Sequence, residues 1–89
     1  MSELLLVPAL KAIDEATIVL HLSKNLSANA DRITYLRQAQ QGFQTALTEL
    51  NELQDVLDRQ DRETWQVWYG EAERGLEKVE ELLEDLGGD

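Results

Sequence analysis

Apolar residues recur every three or four positions along nearly the whole chain, and that period predicts helices throughout. The first stripe runs through Leu6, Ala9, Leu10, Ile13, Ala16 and Leu20 and predicts a helix from about Leu4 to Lys24. Pro8 lacks an N–H and clashes with the carbonyl four residues back, so it belongs in the first turn, and the start can fall as late as Leu5–Pro8. Lys11, Asp14, Glu15 and His21 form the other side. Val7, Ile18 and Leu22 interrupt that polar side and point opposite the main stripe. A helix apolar on two sides calls for partners on two sides.

Asn25 to Asn29 reads as a turn. Ser27 or Asn29 is placed to cap the next helix, and Asp31 in its first turn suits the positive end of the dipole. That helix is expected from about Ala30 to Asp58. Its stripe is Ile33, Leu36, Ala39, Phe43, Ala46, Leu47, Leu50, Leu53 and Leu57. Gly42 sits mid-helix at a cost of about 1 kcal/mol relative to Ala, which marks a bend or a close helix crossing.

The run from Asp58 to Glu63 is wholly polar and holds neither Gly nor Pro. Two continuations fit it. In the first, a turn occurs there and Asp61 caps a third helix from about Arg62 to Leu86. In the second, one helix continues from Ala30 to Leu86, about 85 Å at ~1.5 Å per residue, and must pair with a second chain. The turn is preferred, because three segments of similar length need a corner at this place. The third stripe is Trp65, Trp68, Tyr69, Ala72, Leu76, Val79, Leu83 and Leu86, and Gly87 stands where a helix-ending glycine belongs.

No segment alternates with period two, so no sheet is expected. The predicted fold is an all-α, up-down-up three-helix bundle forming one domain over residues 1–89, assembled into a helical dimer. The alternative is helix one with one long continuous helix that pairs with a second chain. The expected core is Leu10, Ile13, Leu36, Phe43, Leu47, Leu50, Trp68, Leu76, Val79 and Leu83, the centres of the three stripes.

Composition narrows this picture. A chain of 89 residues buries only about 60% of its unfolded surface, so it needs a staple. Cysteine is absent, which leaves dense helix packing or oligomerisation and fits a reducing compartment. The apolar start is broken by Pro8 and Lys11, far short of the ~20 residues of a membrane span, and no basic leader precedes it. The expected location is the cytoplasm, with no membrane contact.

Charge is divided sharply along the chain. Residues 1–44 carry four acids and four bases, whereas residues 45–89 carry fourteen acids against four bases, which accounts for the whole net charge of −10. Such acidity repels nucleic acid and anionic lipid, so neither is an expected direct partner. Glu73, Glu77, Glu80, Glu81 and Glu84 recur three or four apart on helix three, with carboxylates roughly 5–6 Å apart. The row could dock a basic partner or imitate a phosphate backbone. The plainer reading, a solvated face that keeps a small bundle soluble, is preferred.

The aromatic residues Trp65, Trp68 and Tyr69 fall within one arc. Trp65 and Tyr69 could anchor a partner, since such residues dominate interaction hot spots, or pack as ordinary core. His21 is the only histidine, and no Glu-x-x-His pair or inward carboxylate set accompanies it. Ser2, Ser23 and Ser27 sit near helix ends, where capping explains at least Ser27, and the five glycines form no phosphate-binding loop. No catalytic, cofactor-binding or metal residues are assigned.

The expected function is therefore a non-enzymatic protein–protein interaction module that self-associates as a homodimer through Val7, Ile18 and Leu22. The alternative is a small acidic inhibitor or nucleic-acid mimic that occupies a basic cleft of an enzyme or nucleic-acid-binding complex. A carboxylate metal enzyme is a third reading that lacks a ligand set.

Overall fold

Three helices fill the described residues, 5–87, in a computed structural model: α1 over Val7–Ser23, α2 over Asn29–Leu53 and α3 over Arg59–Asp85. Among those residues there is no strand. The expected helix start at Leu4 lies outside them, and Leu5–Leu6 form a short 3₁₀ lead. Pro8 sits in the first turn of α1, where its missing N–H costs nothing.

α2 is the central helix and packs along both neighbours, whereas α1 and α3 touch each other sparsely. The body is a rod of 45 × 17 × 15 Å, close to the length of α2 and α3 at ~1.5 Å per residue. Phe43 meets Gly75 and Leu50 meets Trp65, so α3 runs antiparallel to α2.

The core is one buried row from each helix. α1 contributes Ala9, Ile13, Ala16 and Leu20; α2 contributes Leu36, Ala39, Phe43, Ala46 and Leu50; α3 contributes Ala72, Val79 and Leu83. Leu10, Leu47, Trp68 and Leu76, expected at the stripe centres, are only partly buried and pack on the margin of this core. Small alanines let α1 approach α2 closely. The tightest place is Gly42, where an added Cβ would stand 2.9 Å from the Cβ of Ala16. Gly42 thus marks a helix crossing rather than a break. On the other side of α2, the ring of Phe43 occupies the space that a side chain at Gly75 would need.

The corner between α2 and α3 differs from the sequence expectation. α2 ends at Leu53, five residues before Asp58, and its last turn tightens through Gln54 N–H to Asn51 O at 3.4 Å and Val56 N–H to Leu53 O at 3.1 Å. The continuous 30–86 helix is therefore corrected to two helices. Leu57 belongs to the connection and not to α2, yet it is buried and ties the turn to the core. The cap of α3 is Asp58 rather than Asp61: its Oδ1 accepts from Asp61 N–H at 3.0 Å. Asp61 instead occupies the first turn, where its charge suits the dipole. At α2 neither Ser27 nor Asn29 acts as the cap; Ala28 holds that position without a side-chain hydrogen bond, and Asp31 in the first turn sets its charge against the positive end of the dipole. α3 closes on Gly87 at φ +70°, with Gly87 N–H donating to Glu84 O at 3.0 Å.

Candidate functional site

The outer face of α1 is the first surface the fold leaves unpartnered. Leu20, Ala16, Ile13 and Ala9 turn inward, which forces the residues half a turn away to face outward. Val7, Ile18 and Leu22 lie there at 49%, 52% and 48% exposure. Lys11 and Asp14 lie between them and are exposed too. These three branched aliphatics share one side of a 17-residue helix, whereas Val56 and Val67, at 61% and 60% exposure, lie outside α1.

A second surface was not visible in the sequence. Because α1 and α3 barely meet, a cleft of about 530 Å³ opens between them, lined by Val7, Leu10, Ile13, Thr17 and Trp68, with Lys11, Asp14 and Glu71 among its walls. The partial exposure of Leu10 and Trp68 follows from this opening. Sequence periodicity ranks residues around one helix but carries no information on how far apart two helices stand. The only available hint was the two-sided character of helix one.

The aromatic cluster is integrated in the fold. Trp65 and Tyr69 stack with ring centroids 5.0 Å apart and planes 27° from parallel. The Trp65 indole N–H donates to the carbonyl of Leu50, one of the carbonyls that the end of α2 leaves without a helical partner. Trp65 therefore closes the C-terminus of α2 from across the corner. Both rings remain partly exposed.

The acidic residues of α3 stand clear of the core. Glu73, Glu77, Glu80, Glu81 and Glu84 are all exposed. At ~100° per residue, four of them share an arc of about 60°, and Glu81 falls to the side of that row. Arg74 does not neutralise the row; it pairs with Glu71 one turn earlier. His21 is exposed at the end of α1. Among the described residues no three His, Asp or Glu side chains cluster closely enough to hold a metal. No described helix is long and apolar enough to cross a membrane. Ser23 is buried and its hydroxyl donates to Leu20 O at 2.6 Å, a contact within the last turn of α1.

Compared with known protein families, curated proteins and solved structures, the chain has no significant match.

Proposed function

We propose that this protein is a non-enzymatic interaction module that self-associates through the outer face of α1. One observation carries the reading: Val7, Ile18 and Leu22 are half exposed on the side of α1 opposite its buried row. The core gains nothing from these residues, and a helix-one face of Lys, Glu and Gln would serve solubility better. Association removes that apolar surface from water at about 25 cal/mol per Å². A small chain without disulfides also gains stability from a second copy by mass action. Light scattering across a concentration series tests the reading. Ile18→Glu with Leu22→Glu is expected to leave a folded monomer under conditions where the wild type forms larger species.

The exposed row of Glu73, Glu77, Glu80 and Glu84 favours a second reading, an acidic inhibitor or nucleic-acid mimic seated in a basic cleft. Uncompensated carboxylates on one face repel each other, and an array of Lys or Arg relieves the repulsion. Binding of that kind weakens steeply as salt shortens the screening length from ~10 Å at 0.1 M towards ~3 Å at 1 M. Apolar association through α1 persists over the same range.

A further inference from the structure

We infer that two copies of this chain pair α1 against α1 in antiparallel register, with Lys11 of each copy facing the partner's Asp14. The inference rests on the self-association proposed above and adds its geometry. Positions 7, 11, 14 and 18 are spaced four, three and four. That spacing holds side chains on one line of a helix packed against another. All four are exposed and lie opposite the buried row of Ala9, Ile13, Ala16 and Leu20, and Val7, Lys11 and Asp14 also border the cleft towards α3.

The order along the line is apolar, basic, acidic, apolar: Val7, Lys11, Asp14, Ile18. Read backwards, the spacing is unchanged and the charges exchange places. A two-fold axis across the helix, between residues 12 and 13, therefore lays the line on itself. Val7 meets the partner's Ile18 at each end, and Lys11 meets the partner's Asp14 twice in the middle. A parallel pair in register would set Lys11 on the partner's Lys11 and Asp14 on the partner's Asp14. Charge thus selects the antiparallel pair, and a two-fold pair is self-complementary by construction. Leu22 extends the apolar line beyond this symmetric block.

One helix of 17 residues with three half-exposed apolar side chains falls below the ~800 Å² per partner of a standard interface, so the dimer belongs to the weak class. A dissociation constant on the order of 100 µM is expected, and the measurements belong at concentrations up to about 1 mM. Lys11 and Asp14 also attract each other within one helix, which keeps the contribution of the intermolecular pairs small.

Sedimentation equilibrium on the wild type, Lys11→Asp, Asp14→Lys and the double exchange tests the register, with circular dichroism as the folding control. Each single variant places like charges opposite each other at both central positions and is expected to associate about tenfold more weakly. The double exchange restores both pairs and wild-type affinity. The chain has no cysteine, so mixing Val7→Cys with Ile18→Cys under oxidising conditions adds an independent reading. Antiparallel pairing gives the mixed disulfide; parallel pairing joins Val7→Cys to itself and Ile18→Cys to itself. If the wild type associates but neither single variant is weakened, or the mixed disulfide is absent, the register is wrong and self-association stands. A wild type that stays monomeric at 1 mM removes both.

Discussion

α1 and α3 flank the same central helix, yet they spend their residues in opposite ways. α3 turns its large side chains inward or to the core margin, except Val67 at 60% exposure, and sets a row of carboxylates on its outer side. α1 buries mostly small residues, Ala9 and Ala16 beside Ile13 and Leu20, and leaves Val7, Ile18 and Leu22 half exposed. One helix is sharply two-sided and belongs to the monomer. The other keeps three half-exposed aliphatic residues on its outer side. The difference separates what holds this fold from what the fold presents, and substitutions on the two helices should divide accordingly.

The largest effect is expected where α2 meets α3. Phe43→Ala empties the space beneath Gly75 and should cost about 3–5 kcal/mol, read as a lower denaturant midpoint. The two glycines of α3 come next and should differ in sign. Gly75→Ala pushes a methyl into the Phe43 ring, and overpacking costs about 1–3 kcal/mol, partly offset by ~1 kcal/mol of helix propensity. Gly70 has nothing within 4 Å of an added Cβ, so Gly70→Ala should stabilise by about 0.5–1 kcal/mol. Paired thermal melts decide this. If both substitutions stabilise, the Phe43–Gly75 contact is misplaced. Asp58→Ala should cost about 1 kcal/mol and Asp61→Ala less, because only Asp58 accepts the capping bond.

These expectations mark what the sequence made legible. The stripes around α2 and α3 found Leu36, Phe43, Leu50, Val79 and Leu83, because a one-sided helix advertises its core at a period of 3.6. The corner was less clear. Asp58 and Asp61 stand three apart, both are good caps, and no Gly or Pro chooses between them; burial of Leu57 does. The notch at Gly75 was hidden, because it depends on which residue of α2 lies opposite. Of the candidate surfaces, the glutamate row and the outer stripe of α1 could be read from spacing alone. The cleft between α1 and α3 could not, and Trp65 showed no sign in sequence that it closes the end of α2.

Substitutions on the outer side of α1 should have the smallest effect on stability. Ile18→Glu and Leu22→Glu together are expected to move the melting point of dilute protein little, since surface changes stay within about 0.5 kcal/mol. Reversing Glu77, Glu80 and Glu84 to Lys should likewise preserve helicity while abolishing any salt-sensitive binding to a basic partner. If the reversed protein keeps such a partner, the row only keeps the bundle soluble.

The most direct test of the account is the molar mass of the wild-type chain by sedimentation equilibrium from about 10 µM to 1 mM, beside Ile18→Glu/Leu22→Glu. The wild-type mass is expected to rise from monomer towards dimer over this range, at low and high salt alike, while the variant remains a folded monomer throughout. A wild type that holds the monomer mass of 10.1 kDa across the whole range, or a variant that associates as strongly, would contradict it.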